Sequence, residues 1–264
     1  MEIFAAVLTG LLGVAGAPGV VIDRLITDAL RGQLVRADQL EVRLDNTPNY
    51  QLLQGRIDRV RLAGRGIYLS SFLRIDTVDL ESDPISIDPA FLQSGQLKLV
   101  APAQAAVRVI LKAADINQAL RSPTISKSFQ GIKLSLSPTT GNNTRAEEFD
   151  LVNPEVTFLE DNRLRVNATL QPVSNPKSGL EIAIEAKIAL VDSTRIELLS
   201  PTINLQGIKV PEQITNTLAQ GINKLLDFSA LESSGIYARI LKLEVTDSQL
   251  QLIGFARMEI PRSN

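Results

Sequence analysis

Nine arginines and no lysine fall within the first 74 residues: Arg24, Arg31, Arg36, Arg43, Arg56, Arg59, Arg61, Arg65 and Arg74. A guanidinium offers a planar fork that matches phosphate or carboxylate bidentately, whereas an ammonium acts as a point charge. Arg59 and Arg61 share one face of a period-two strand, and Arg65 stays in phase beyond a turn at Gly64. These three are the candidates to meet an anionic headgroup. Asp23, Asp28, Asp38, Glu41, Asp45 and Asp58 are close enough in sequence to pair with most of the arginines, so solvated ion pairs are the competing reading.

The other reactive side chains suggest less chemistry. The chain has no His and no Cys, which removes the usual general base, the Ser-His-Asp relay, thiolate ligands and cysteine nucleophiles. Asp76, Asp79, Glu81, Asp83 and Asp88 form an acidic run without the glycine and ligand spacing of a calcium loop, and read as a solvated strand edge. Glu147 and Glu148 read as solvated loop carboxylates, with no partner to divide acid from base. Ser126 and Lys127 are adjacent, and on a strand would point to opposite faces. With no G-x-S-x-G and no phosphate-cradling glycine loop, the expectation is no enzyme, no metal and no cofactor. A net charge of −2 predicts no general affinity for nucleic acid.

The elements that would position these residues are mostly strands. Leu40, Val42 and Leu44 alternate with charged neighbours, and a second strand spans Gly55 to Ala63 before Gly64-Arg65-Gly66 turns the chain. From Ile67 the apolar parity slips, Leu73 and Ile75 taking one face and Val78 and Leu80 the other, which predicts a bulge near Asp76. Further alternation covers Val107–Leu111, Val156–Leu170 with a turn at Glu160–Asn162, Ile182–Leu198, and Leu241–Leu252 with a turn at Asp247-Ser248. One-faced, hairpin-connected strands of this kind predict an antiparallel sheet with one greasy side.

Helical spacing marks three stretches. The longest is Pro211–Phe228, with Ile214, Leu218, Ile222 and Leu225 on one side and Asn216, Gln220 and Asn223 among those opposite. Pro211 suits a first helical turn. The second runs from Gly19 to Arg31 with Ile22, Leu25, Ile26 and Leu30 on a face; it is either a core helix or an interfacial one. The third is short, with Ile116, Ala119 and Leu120 at helical spacing and a stop at Ser122-Pro123. Ahead of them, Ile3–Ile22 is free of charge for 20 residues, enough to cross a bilayer, although Glu2 precedes it and Pro18 follows a small-residue Ala15-Gly16-Ala17. A weak internal echo relates Leu99-Val-Ala-Pro102 and its helix to Leu198-Leu-Ser-Pro201 and its helix, so two related halves are plausible.

The order Val20–Leu30, Leu40–Asn46, Gln51–Gly66, Ala114-Asp-Ile-Asn-Gln-Ala-Leu120, Gly221-Ile-Asn-Lys-Leu-Leu-Asp227 and a closing strand pair resembles the LmeA-like phospholipid-binding family of bacterial envelope proteins. The resemblance implies an α+β fold, a long curved antiparallel sheet wrapped around amphipathic helices as in tubular lipid-binding domains. It implies a single lipid-binding-like domain over residues 19–264, preceded by a hydrophobic anchor or signal-like segment over 1–18. The partners implied are phospholipid or another acyl lipid and a membrane, with an extracytoplasmic place in the cell envelope. The resemblance transfers no ligand residues; on the helical spacing alone, the groove would be lined by Ile22, Leu25, Ile26, Leu30, Ile214, Leu218, Ile222 and Leu225. A membrane-associated scaffold with a solid core is the alternative.

Overall fold

The computed structural model describes residues 34–47, 51, 54–92, 99–134, 147–210, 215, 223, 227–229, 232 and 235–259. Strands dominate them: β1 (Arg36–Asp45), β2 (Arg56–Ile57), β3 (Arg59–Tyr68), β4 (Arg74–Ser82), β5 (Ile85–Ser86), β6 (Ala103–Lys112) and β7 (Ile132–Leu134). They continue as β8 (Glu147–Leu159), β9 (Arg163–Pro172), β10 (Leu180–Asp192), β11 (Arg195–Leu205), β12 (Ile208–Lys209), β13 (Ile236–Val245) and β14 (Gln249–Met258). Helix α1 (Ala113–Leu120) follows β6 without a break.

Two six-stranded sheets result, ordered β1-β3-β4-β6-β14-β13 and β12-β11-β10-β9-β8-β7, with β2 and β5 forming a small third pair. All pairings are antiparallel, as the alternating pattern predicts. The first sheet takes its last two strands from the C-terminal end of the chain, so the chain does not divide into two consecutive halves with one sheet each.

In the first sheet Val60, Leu62, Val78, Leu80, Leu40 and Val42 form one buried cluster. Ile67 and Ile75 belong to the same cluster although their parity is opposite. No bulge produces this. The β3–β4 ladder runs in one register from Arg61↔Glu81 to Tyr68↔Arg74, and β1–β3 likewise from Arg36↔Tyr68 to Asp45↔Arg59. The level Asp38–Gly66–Asp76 is passed over in both ladders, and Gly66 has φ +57°. A left-handed residue rotates the strand about its own axis, so the expected bulge near Asp76 is replaced by a face inversion shared by three strands. The turn expected at Gly64-Arg65-Gly66 is likewise absent, because β3 continues through it to Tyr68.

The second sheet uses bulges, as the first does between Ile240 and Lys242 of β13. Register shifts fall between Val152 and Glu155 on β8 and between Glu185 and Lys187 on β10, beside the positive-φ residues Asn153 and Ser200. Each bulge bends its strand and changes which side chains face inward. The apolar face is accordingly divided into a cluster around Phe149, Leu170, Ile182 and Ile203 and another around Phe158, Ala186, Ile188 and Leu198. The latter also holds Ile240 and Val245 of β13, so it joins the two sheets.

Candidate functional site

The eight residues expected to line an acyl groove, Ile22, Leu25, Ile26, Leu30, Ile214, Leu218, Ile222 and Leu225, lie outside the described residues, as does the uncharged segment Ile3–Ile22. Among the described residues no helix is long and apolar enough to cross a membrane. Four positions of the Pro211–Phe228 stretch are described, and they fix where it meets the sheets. Thr215, at the margin of the apolar face on the helical wheel, is helical and only 4% exposed. Asn223 is helical, and its Oδ1 accepts a hydrogen bond from the Leu198 N–H at 2.9 Å. Asp227 forms a β-bridge with Arg195, and the Phe228 N–H donates to Thr194 O at 2.8 Å. The Phe228 ring packs against the cluster containing Ile240 and against Ile236, Ala238 and Ala256. The stretch is therefore fastened at its C-terminal end to β11 and to the β10–β11 turn.

Asn223 lies on the polar side of the helical wheel, where solvent is the expected partner. Its actual partner is a strand edge. Helix α1 does the same on the opposite edge of the second sheet: Asn117 Oδ1 accepts from Val156 N–H at 2.7 Å, and its Nδ2 donates to Val156 O at 2.9 Å. The amide imitates one rung of a β-ladder. The sequence signal is Ile116-Asn-Gln-Ala-Leu120 and Ile222-Asn-Lys-Leu-Leu226, the same Ile-Asn-x-x-Leu pattern twice. Helix α1 is also held to the first sheet, because Arg74 Nη1 donates to both oxygens of the buried Asp115 at 2.9 and 3.1 Å. Burial alone would lower the Arg74 pKa, but Asp115 and Asp76 outweigh it and raise it. Ser122-Pro123 does not merely stop α1; Ser122 caps a further helical turn over Pro123–Ser126, its Oγ accepting from Ile125 N–H.

The headgroup candidates Arg59, Arg61 and Arg65 stand on the solvent face of β3, alternating with the buried Val60, Leu62 and Gly64. All three meet carboxylates. Arg59 lies 3.2 Å from Glu81, Arg61 lies 3.3 Å from Asp45 and 3.4 Å from Glu81, and Arg65 donates to Asp79 at 2.6 Å. Arg108 of β6 reaches the other oxygen of Asp79. Burial alone would raise the Asp79 pKa; the hydrogen bonds from Arg108 and Arg65 overcome it and hold the carboxyl below the usual range. Asp76, Asp79 and Glu81 are therefore not on a sheet edge. They lie on β4, an interior strand, where Asp79 and Glu81 supply counter-charges for the arginines of β3 and β6, whereas Asp83 and Asp88 follow the strand, Asp83 exposed. Asp76 follows the same rule: desolvation is outweighed by Lys112, Thr77 and Arg74, and its pKa is lowered. A depression of about 520 Å³ opens on this face over Ala63 and Ala106, walled by Arg43, Arg61, Asp79, Glu81 and Arg108. Its volume suits a small ligand, but Arg61 and Glu81, and Arg108 and Asp79, in its walls are already engaged with one another.

The remaining reactive side chains are also accounted for. Glu147 and Glu148 begin β8 instead of lying in a loop, and Ser174 Oγ donates to Glu147 Oε1 at 2.8 Å. Ser126 and Lys127 lie in consecutive helical turns, not on a strand, with the Ser126 hydroxyl donating to Pro123 O.

Comparison with curated proteins and with solved structures gave no match. A family model described as LmeA-like phospholipid-binding matches residues 15–255. That span includes both Ile-Asn-x-x-Leu segments, every strand from β1 to β13 and most of β14, and the chain therefore belongs to the LmeA-like phospholipid-binding family.

Proposed function

We propose that this protein is a non-enzymatic lipid-binding module of the bacterial cell envelope, attached to a membrane through residues 1–18. Residues 19–264 act as one lipid-binding domain whose curved antiparallel sheet wraps amphipathic helices in the manner of tubular lipid-binding proteins. Acyl chains are held between the apolar sheet face and the faces carrying Ile22, Leu25, Ile26 and Leu30 on one segment and Ile214, Leu218, Ile222 and Leu225 on the other. The observation that carries this reading is family membership over residues 15–255, joined to sheets that are apolar on one face and ion-paired on the other. The family description names phospholipid, and Asn223 and Phe228 fasten the C-terminal end of the long stretch to β11 and the turn before it, which supports this reading. Binding of this kind needs no specific polar contact, because each buried CH₂ contributes about 0.8 kcal/mol.

Native mass spectrometry of the purified full chain, with solvent extraction of what co-purifies, tests the reading. A bound phospholipid that is lost in Leu218→Asp is the expected result. A folded protein that carries no lipid and takes none up from liposomes would replace this reading with that of a solid-cored scaffold.

A further inference from the structure

Among the described arginines, every one but Arg121 lies within ion-pair distance of a carboxylate. The exception falls in a gap in the charge pattern. From Ile116 to Ala146 the sequence holds Arg121, Lys127, Lys133 and Arg145 but neither Asp nor Glu, in a chain whose net charge is −2. Lys127 likewise meets no carboxylate. Arg121 follows the C-terminal end of α1, where the helix dipole favours a cation. That accounts for an arginine at this position, but not for Lys127, which belongs to a separate turn.

The backbone places both cations on one short connection beside the second sheet. The Arg121 N–H donates to Asn117 O at 3.2 Å and the Ser122 N–H to Ala119 O at 3.0 Å, closing α1. Buried Ser122 caps the turn Pro123–Ser126, and the turn Lys127–Phe129 follows directly. The Gly131 N–H donates to Asp150 Oδ1 at 2.9 Å, which ties the far end to β8. Arg121, Pro123, Thr124, Lys127 and Gln130 are exposed along this path, while Ile125 and Phe129 are half-buried. Carboxylates on the neighbouring elements leave both cations uncompensated. Asp115 is buried and held by Arg74, Asp150 is taken by Gly131, and Glu155 of β8 forms no ion pair. An exposed surface with two unpaired cations, no carboxylate and half-buried apolar side chains complements an anionic headgroup layer, whose potential attracts basic segments within a Debye length. Resting on the lipid-binding reading above, we infer that Arg121–Gln130 is a docking surface for an anionic bilayer. Arg121 and Lys127 meet its headgroups, so that the β7–β8 side of the second sheet faces the membrane.

The chain has no Cys, so a fluorophore at Thr124→Cys is unique, and one at the exposed Gln104→Cys of the first sheet serves as control. The full chain is incorporated into vesicles whose headgroups carry a quencher, either zwitterionic throughout or partly anionic. Attachment through the N-terminal segment is common to both labels, so a difference between them reports which face meets the bilayer. Quenching is expected at Thr124 in anionic vesicles, weakly in zwitterionic ones, and not at Gln104; high salt should abolish it. Arg121→Gln together with Lys127→Gln is expected to lower the ratio of docked to undocked protein on the order of 25-fold, about fivefold for each cation. Arg121→Lys together with Lys127→Arg keeps both charges and should keep the docking. An unquenched Thr124 label in anionic vesicles overturns the inference. So does equal quenching in both vesicle types, equal quenching at both labels, or quenching undiminished in the paired Gln variant. Native mass spectrometry of the same samples separates the two readings: a chain that carries lipid yet leaves Thr124 unquenched loses the docking surface alone, and one that is quenched at Thr124 yet carries no lipid loses the lipid-binding reading alone.

Discussion

Asn117 and Asn223 each spend a side-chain amide on closing a sheet edge, and a shorter or apolar side chain would leave Val156 or Leu198 without that partner. A buried polar group stripped of its hydrogen bond costs about 1–3 kcal/mol. Asn117→Ala and Asn223→Ala are each expected to destabilise by that order, Asn117 more because it serves both the N–H and the C=O of Val156. Amide exchange should accelerate at Val156 in the first variant and at Leu198 in the second, without crossing over. Unchanged exchange at both would mean that the amides are incidental to the edges. Asp79 gives a second prediction at this scale, in pH. Its folded pKa lies below the ordinary aspartate value because Arg108 and Arg65 hold the carboxylate. A depressed folded value means that the contribution to stability is full above about pH 4 and is lost as the pH falls through the folded pKa. Asp79→Asn is therefore expected to cost up to about 1 kcal/mol at pH 7, the arginines being partly exposed. That difference should close as the pH falls below the ordinary aspartate range in urea denaturation; a difference that persists in acid would assign the effect to packing.

Among the elements, β3 shows most directly why a period-two reading can find strands and still misplace their faces. The alternation of Val60, Leu62 and Gly64 against Arg59, Arg61 and Arg65 is written in the sequence and is kept in the fold. The inversion at Gly66 is not written there, because it depends on a positive φ that neighbouring strands accommodate at Asp38 and Asp76 without a change of register. A bulge and an inversion produce the same slip in parity, and only the pairing distinguishes them. Partners of the candidate arginines were hidden for a related reason. The carboxylates nearest in sequence serve Arg36, Arg43 and Arg56, whereas Arg59 and Arg65 are met from β4, 22 and 14 residues away in the chain. The repeated Ile-Asn-x-x-Leu pattern went unread in the sequence, because the role of its asparagine appears only when the edges of the second sheet are seen. Gly66 carries a prediction of its own. A Cβ there would clash with the Asp38 carboxylate, on a backbone at φ +57° that side chains disfavour. Gly66→Ala is expected to destabilise by about 1–3 kcal/mol. Asp38 also pairs with Arg36 at 2.7 Å and Arg74 at 3.6 Å, so the displaced carboxylate would loosen both. In the double variant with Asp38→Ala the clash is gone, and the two costs should sum to less than their separate values; strict additivity in urea midpoints would locate the penalty in the backbone alone.

For the molecule as a whole, the two faces of the first sheet set the terms on which a phospholipid would be recognised. One face is an aliphatic cluster of Val, Leu, Ile and Ala side chains, and the other is a lattice in which Arg59, Arg61, Arg65 and Arg108 already hold Glu81, Asp45 and Asp79. An anionic headgroup arriving at the second face would compete with carboxylates already in place, in exposed positions where an ion pair contributes about 1 kcal/mol or less. An acyl chain entering an apolar groove gains about 0.8 kcal/mol for each CH₂ it buries. Chain length should therefore decide affinity more than headgroup charge does. Single-chain phospholipids presented as monomers, below their micelle concentrations, make the comparison clean, since water is then the reference state. Lengthening the chain from ten to twelve carbons is expected to tighten binding by roughly 15-fold, corresponding to two buried CH₂ groups. Exchanging a zwitterionic for an anionic headgroup at fixed length should change affinity by less than about fivefold at physiological salt. Changing Arg59, Arg61 and Arg65 together to Gln should leave the chain-length dependence intact. If headgroup charge proves the stronger variable, and that triple variant abolishes the preference, then the ion-paired face is the binding surface and the apolar face is simply the protein's core.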